Sequence, residues 1–226
     1  MGMLSQTVFA VIIGSIIFVG LPILGWGIAD VQGFIAHPAR VGYIVICILL
    51  QIVVAVYFPG AGRSGNKGEK LIRRQQVAVF LLQVFSLAMV LVSPFTDARS
   101  IASIDAWDLI RYFGLGVFAG GFLLMNWSAA ILGKQFSVQV TIQAQHQLVM
   151  SGPYKRIRHP RYLGIILFNL GIGLVFRSWL GILLTALIAL TLLWRIHDEE
   201  ELMHQTFEAD WKTYANQSWR LVPFLW

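Results

Sequence analysis

The stretch Leu163–Trp194, LGIILFNLGIGLVFRSWLGILLTALIALTLLW, decides the fold, because the pair Arg177-Ser178 divides it into two apolar runs. A helix needs about 17–25 apolar residues to cross a bilayer, and each run lies near the lower limit of that length. A polar break in so apolar a stretch is typical of a tight turn between two helices. The stretch therefore predicts a helical hairpin that is tilted in the membrane or shielded by neighbouring helices.

The rest of the chain also has the composition of a membrane protein. Hydrophobic residues make up 57% of it and charged residues 12%, whereas a soluble domain carries about 25% charged residues. The mean hydropathy is +0.71. Four apolar segments before the hairpin predict spanning helices, at about Thr7–Ile28, Val41–Phe58, Gln75–Val92 (ending near Pro94) and Leu109–Leu132.

These segments predict an all-α, polytopic membrane bundle of four spanning helices followed by the hairpin and an amphipathic tail helix. The first apolar run is long and no lysine or arginine precedes it, so we expect a retained helix rather than a cleaved signal peptide. We expect residues 1–132 to form a scaffold on the side of a lipid substrate, and residues 133–226 to form the catalytic region.

The distribution of positive charge predicts the orientation in the membrane. The formal net charge is +6, and thirteen of the 17 lysines and arginines lie in the segments 59–74, 133–162 and 195–226. With the predicted helices, all three segments fall on one side, which the positive-inside rule identifies as cytoplasmic. We therefore expect a cytoplasmic N-terminus and catalytic face, membrane lipids as partners, and no nucleic acid.

Cysteine and histidine usage argues against a metal centre. The one cysteine, Cys47, lies in an apolar run and is expected to be a small buried hydrophobe. The histidines at 146, 159, 197 and 204 do not have the spacing of a zinc site. We expect no metal.

A stiff basic bend, Ser151–Gly164, reads SGPYKRIRHPRYLG. Pro153 and Pro160 restrict the backbone before and directly after the segment that ends at His159. A helix can begin with Pro160 at its first position. The start of such a helix attracts anions and carboxylates. The bend can therefore bind an acidic or zwitterionic small molecule, although the same cations could simply face lipid phosphates.

The tail places four acidic residues in a row, from Asp198 to Glu201, directly after the hairpin. Arg195 and Glu199 are four residues apart, so they share a helix face and can pair. The acids could form a solvated face. Alternatively, one glutamate turns inward to meet a ligand, because an ionisable residue at the edge of a membrane bundle usually has a function.

Two sequence blocks carry a resemblance to a known family. The block His146–Gly164, HQLVMSGPYKRIRHPRYLG, is similar to the pattern H-x-L-V-x-x-G-x-Y-x-x-x-R-H-P-x-Y-x-G. The block Arg195–Tyr214 is similar to R-x-x-x-E-E-x-x-L-x-x-x-F-G-x-x-Y-x-x-Y. Both patterns resemble the isoprenylcysteine carboxyl methyltransferase family and the related phospholipid methyltransferases.

The resemblance implies a membrane enzyme that uses S-adenosylmethionine in a cytosol-facing pocket and methylates a lipophilic or prenylated acceptor. It implies that Arg195 lies near the carboxylate of the acceptor. Glu200 matches the second glutamate of the E-E pair in the family pattern and is a catalytic candidate together with Arg195 and His159. For an amine acceptor, His159 or a glutamate is a candidate base. The implied cofactor-binding residues are Gln139, His146, Gln147, Leu148, Val149, Tyr154, His159, Pro160, Arg161, Tyr162 and Glu199.

Two departures from the family pattern lie on the tail helix, where Glu208 replaces a common glycine and Trp211 replaces a tyrosine. The favoured reaction is O-methylation of an isoprenylcysteine-type carboxylate. The alternatives are methylation of a phospholipid amine or of a thiol group, an NADPH-dependent membrane reductase of related architecture, and a non-enzymatic scaffold.

Overall fold

The structure is a computed structural model that describes residues 11–57, 70–71, 75–105, 107–133, 141–142 and 148–224. The helices are α1 (Val11–Trp26), α2 (Ile28–Ile35), α3 (Pro38–Tyr57), α4 (Gln75–Ala98), α5 (Leu109–Leu132), α6 (Pro160–Val175) and α7 (Trp179–Asn216). A short 3-10 helix spans Gly152–Lys155, and the two-residue strands β1 (Lys70–Leu71) and β2 (Thr141–Ile142) pair antiparallel. The predicted all-α class is confirmed.

Within the described ranges, four helices are long and apolar enough to cross a membrane: α3, α4, α5 and α7. The pair α1 and α2 adds a fifth candidate, although the two are bent by 90°. The start of the predicted first helix, about Thr7–Ile28, lies outside the described residues, and its end comes two residues earlier than predicted: the helical path breaks at Gly27, whose φ of 126° suits glycine alone. The chain is an integral membrane protein.

The helix α4 runs further than the sequence predicts. It continues through Pro94 and ends at Ala98, so the expectation that it stops near Pro94 is wrong. Membrane helices tolerate an internal proline when neighbouring groups satisfy the freed backbone. The extension brings Asp97 into the helix, where it becomes buried.

The hairpin forms where the sequence predicts it. The helix α6 begins at Pro160, as predicted, because proline is favoured at the first helical position. At the turn Arg177 has a left-handed φ of 44°, and Ser178 caps α7 by accepting a hydrogen bond from the amide of Gly181 at 2.9 Å.

The short helix α6 is shielded by close packing against α5. A Cβ added to Gly121 would lie 2.3 Å from the amide nitrogen of Phe168, and one added to Gly171 would lie 2.3 Å from that of Phe118. Small residues at these positions allow the two backbones to approach each other in the membrane. The ring of Phe118 also lies 5.0 Å from that of Phe168, within the main apolar core.

The predicted amphipathic tail continues directly from the apolar run of α7 as far as Glu208, where a kink separates it from a second helical segment. The 38-residue helix contains one non-helical residue, Glu208, with φ 42° and ψ −107°. Beyond this kink Trp211 and Tyr214 are buried. The kink therefore turns the end of α7 back toward the protein, and the Tyr214 hydroxyl donates to the carbonyl of Tyr154 at 2.6 Å.

Two contacts bring the basic segments to one end of the bundle. The strands β1 and β2 join the connection after α3 to the connection after α5. At the start of α4 the buried Gln75 side chain donates a hydrogen bond to Asp198 of α7. The start of α4 and the polar part of α7 thus lie at the same end of the bundle.

A buried ion-pair cluster lies at the other end. Asp97 accepts two hydrogen bonds of 2.7 Å from Arg111, one to each carboxylate oxygen, and one of 3.2 Å from Arg40. Arg111 also donates to the carbonyl of Val175 at 2.6 Å. The cluster therefore joins α3, α4 and α5 to the end of α6.

Candidate functional site

The two sequence blocks meet where the basic bend enters α6 and the apolar part of α7 ends. His159 is the residue before α6, so Tyr162 lies in the first turn of that helix. Arg195, Glu199 and Glu200 follow the apolar run of α7 on consecutive turns. Since the arms of the hairpin are antiparallel neighbours, residues far apart in sequence come into contact here.

The centre of the site is a hydrogen-bonded group of three side chains. The Tyr162 hydroxyl donates to Oε1 of Glu199 and accepts a hydrogen bond of 2.7 Å from Nε of Arg195. Arg195 Nε also lies 3.3 Å from Oε1 of Glu199, which confirms the predicted pairing along the helix. Arg195 is 3% exposed, so its guanidinium is shielded from water, whereas the side chain of Glu199 is 21% exposed.

His159 lies between the two glutamates. Its Nδ1 is 3.5 Å from Oε2 of Glu199, and its Nε2 is 3.3 Å from Oε1 of Glu200. The imidazole is parallel to the ring of Tyr162, with an angle of 1° between the planes and 5.6 Å between the centroids. Burial acts to lower the pKa of His159, but hydrogen bonds to Glu199 and Glu200 and the charges of both carboxylates outweigh burial and raise that pKa above its ordinary value.

Glu200 is held by two arginines from different parts of the chain. Nε of Arg158, in the bend, lies 2.8 Å from Oε1, and Nε of Arg220, beyond α7, lies 2.8 Å from Oε2. Nη1 of Arg158 also donates to the carbonyl of Ala215 at 2.9 Å and to that of Ser218. Glu200 therefore lies in a local charge network, in which Arg158 is hydrogen-bonded to it and Arg220, whose side chain is 37% exposed, forms an ion pair with it.

The backbone of the bend is fixed by the segment after α7. Residues Ile157 and Trp219 form a parallel β-bridge. The amide of Arg158 donates to the carbonyl of Trp219 at 2.8 Å, and the amide of His159 donates to that of Arg220 at 3.1 Å. These bonds satisfy backbone groups that the prolines prevent from joining a helix.

The remaining candidates have different positions. Tyr154 is buried and Pro160 opens α6, while Leu148, Val149 and Arg161 are half-buried. The structure thus brings Tyr162, His159, Glu199, Glu200 and Arg195 together. Gln139, His146 and Gln147 lie outside the described residues, so their predicted cofactor contacts remain predictions.

The sequence does not predict two contacts at this end of the bundle. One is the hydrogen bond from Gln75 to Asp198, and the other is the ion pair of Arg220 with Glu200. Gln75 is a polar residue at the start of an apolar helix, which is a weak signal. Arg220 follows a tryptophan in a short tail, and no spacing rule connects it with Glu200. Their roles depend on contacts between distant parts of the chain.

Comparison with known proteins finds relatives that are all named as methyltransferases. The family described as "Phospholipid methyltransferase" matches residues 109–210. The chain is 23% identical over 164 residues to a "Probable protein-S-isoprenylcysteine O-methyltransferase" of Oryza sativa subsp. indica, covering 68% of this chain and 84% of that protein. It is 26% identical over 123 residues to "Protein-S-isoprenylcysteine O-methyltransferase B" of Arabidopsis thaliana, covering 51% and 60%.

A solved structure has the same fold. It is described as the eukaryotic intramembrane Ras methyltransferase ICMT, and it superposes with a TM-score of 0.54 at 19% identity, covering 92% of this chain and 73% of that one. The matched region of the family includes the hairpin and the glutamate pair. Residues 109–210 thus match the phospholipid methyltransferase family, the relatives are isoprenylcysteine O-methyltransferases by name, and the fold is that of a solved membrane methyltransferase.

Proposed function

We propose that this protein is an S-adenosylmethionine-dependent methyltransferase that O-methylates an isoprenylcysteine-type carboxylate. The observation that carries the proposal is the contact of Tyr162 with Glu199 and Arg195 at the end of the hairpin. It joins the two family blocks into one site next to the apolar bundle. The names of the relatives, which are isoprenylcysteine O-methyltransferases, support the same reaction.

The residues of the site fit a zwitterionic nucleoside cofactor. Glu199 is 21% exposed at its side chain, and a carboxylate can accept about four hydrogen bonds. Tyr162 and Arg195 contact its Oε1, whereas the nearest ring nitrogen of His159 is 3.5 Å from Oε2. Glu199 can therefore also accept a hydrogen bond from an amine or a ribose hydroxyl.

The first turn of α6 suits the other end of that cofactor. Arg161 lies in this turn, and a helix start attracts carboxylates. S-adenosylmethionine, when bound, supplies an electrophilic methyl group on a sulfonium sulfur. The chain then has to hold and shield the reactants, because methyl transfer depends on alignment and exclusion of water.

The state of His159 favours a carboxylate acceptor over an amine. A carboxylate is ionised at neutral pH and needs no base, since its ordinary pKa is about 4. An amine acceptor must lose a proton, and His159 or a glutamate is the candidate base. Both ring nitrogens of His159 face carboxylates, which also raise its pKa, so neither nitrogen is turned toward an amine.

We assign the acceptor to the membrane side of the site. Arg195 is buried where the apolar part of α7 ends, so it can orient an acceptor carboxylate while residues 1–132 accommodate the lipid part. The positive-inside rule places this end in the cytoplasm. A prenylated protein or a small lipophilic molecule would therefore bring its carboxylate from the cytosolic leaflet.

The test is methyl transfer by the purified protein in detergent or vesicles. The donor is methyl-tritiated S-adenosylmethionine, and the acceptors are N-acetyl-S-farnesylcysteine and phosphatidylethanolamine. We expect label in the farnesylcysteine that mild alkali releases as methanol, because a methyl ester is hydrolysed and an N-methyl group is not. Alkali-stable label in the phospholipid would instead establish the amine reaction, which the description of the matching family favours.

Cofactor choice has its own measurement. Thermal unfolding of the protein with S-adenosylmethionine is compared with unfolding in the presence of NADPH. A ligand at 100 times its Kd stabilises the folded state by about 2.7 kcal/mol. We expect stabilisation by S-adenosylmethionine; stabilisation by NADPH alone would contradict the methyltransferase proposal and support a reductase.

A further inference from the structure

Arg220 reaches the site although it lies outside both sequence blocks and outside the matched region of the family, which ends at residue 210. After α7 the chain reverses and runs beside the basic bend. The Ile157–Trp219 bridge and the hydrogen bond from the Trp219 amide to the carbonyl of Arg156, 2.9 Å long, hold it there. Leu221, directly after Arg220, is buried and anchors the segment.

This path gives each carboxylate oxygen of Glu200 its own arginine. Arg158 contacts Oε1 and Arg220 contacts Oε2, both at 2.8 Å. His159 lies 3.3 Å from Oε1 through Nε2. With both oxygens fixed, the carboxylate of Glu200 cannot rotate away from His159 without breaking an ion pair.

The position of His159 in turn affects the centre of the site. The imidazole ring of His159 is parallel to the ring of Tyr162, and its Nδ1 faces Glu199. A movement of the Glu200 carboxylate would therefore move His159, and through it affect Tyr162 and Glu199, which we assign to the cofactor. The contacts form one continuous chain from Arg220 through Glu200 and His159 to Tyr162.

We propose that Arg220 is a positioning residue for methyl transfer, which acts by fixing Glu200 and thereby the imidazole of His159. The role rests on the proposed function. Arg220 is not among the residues that we assign to the cofactor or to the acceptor. Its loss should therefore reduce the rate of the reaction in the bound complex more than the affinity for S-adenosylmethionine.

The test uses the full-length protein with the substitutions Arg220→Gln, Arg220→Lys, Glu200→Gln and the double change Arg220→Gln/Glu200→Gln. Lys212→Gln is the matched control, because Lys212 is an exposed cation of the same polar region. Transfer from S-adenosylmethionine to N-acetyl-S-farnesylcysteine gives kcat and KM, and thermal unfolding gives Tm.

We expect Arg220→Gln to lower kcat about tenfold, which equals about 1.4 kcal/mol, with KM for S-adenosylmethionine changed less than about twofold. Arg220→Lys should recover most of the rate, since an ammonium can still pair with Glu200. In the Glu200→Gln background, Arg220→Gln should have little further effect, because the group that it positions is already altered.

Three results would overturn this role: wild-type kcat in Arg220→Gln, an undiminished effect of that change in the Glu200→Gln background, or a fall in Tm that accompanies the loss of activity and is not rescued by lysine. Failure of the proposed function gives a different result. A wild-type protein that neither binds S-adenosylmethionine nor transfers methyl groups would overturn both proposals, whereas an active wild type isolates the role of Arg220.

Discussion

At the scale of single residues, the hydroxyl of Tyr162 connects the two arms of the hairpin. It donates to Glu199 and accepts from Arg195. We expect Tyr162→Phe to lower kcat/KM by at least about tenfold and stability by about 1.5–3 kcal/mol, the usual contribution of a hydrogen bond to a charged group. Kinetics and thermal unfolding measure the two effects.

The control for this change is Tyr57→Phe, which removes a hydroxyl from a tyrosine that is 72% exposed. It should leave both activity and Tm close to the wild-type values. If Tyr162→Phe behaved like this control, the hydroxyl would have no part in holding Glu199.

His159 gives the site a dependence on pH that can be measured without any ligand. Its pKa is raised in the folded protein by the hydrogen bonds and charges of Glu199 and Glu200, against the effect of burial. The folded protein therefore binds the proton more tightly than the unfolded chain, whose histidine pKa is about 6.5. The stability from this proton is fully present below about pH 6.5 and is lost as pH rises through the folded pKa.

The measurement compares Tm of the wild type and of His159→Gln from pH 5.5 to pH 9. The difference between them should be largest at the acidic end and shrink as the pH rises, while other histidines cancel in the comparison. A difference that grew with pH would mean that the folded site favours the neutral imidazole.

At the scale of elements, the kink of α7 is a point of backbone strain. Glu208 has φ 42° and ψ −107°, a region that a glycine enters readily and a residue with a Cβ does not. The family pattern that the second sequence block resembles has glycine at this position. We expect Glu208→Gly to stabilise the protein by roughly 1 kcal/mol, since the relief of strain exceeds the added flexibility of the unfolded chain.

Asp210→Gly is the matched control, because Asp210 is exposed and lies in the same helix with one residue between it and the kink. Without strain to relieve, this change should destabilise by roughly 0.5–1 kcal/mol. Equal losses of Tm in the two glycine variants would show that the backbone at Glu208 is not strained.

The sequence predicts the elements well where their cause is local. Apolar runs locate the membrane helices, Pro160 marks the start of α6, and the four-residue spacing from Arg195 to Glu199 predicts their ion pair. The passage of α4 through Pro94 depends on neighbouring helices that compensate a broken backbone pattern, so local rules end the helix too early. The pairing of Arg220 with Glu200 requires a chain reversal that no periodicity reveals.

At the scale of the whole molecule, two polar clusters hold the ends of α6. The catalytic candidates surround its start, and the Asp97 cluster contacts its last residue through the bond from Arg111 to the Val175 carbonyl. A helix of 16 residues is about 24 Å long. Since α6 is short for a span, contacts at both ends and close packing with α5 fix its height in the bundle.

The Asp97 cluster therefore supports the position of α6, and with it the alignment of the site residues, without contact with them. Asp97→Asn would leave two buried arginines, Arg40 and Arg111, without the carboxylate between them. Removal of one partner from a buried ion pair costs about 3–5 kcal/mol, so we expect Tm to fall by roughly 10 °C. Asp108→Asn is the control, because that carboxylate is 62% exposed and lies 3.6 Å from the same Arg111. Its loss should cost less than about 1 kcal/mol. Equal Tm values for the two variants would show that the buried carboxylate does not hold the helices together.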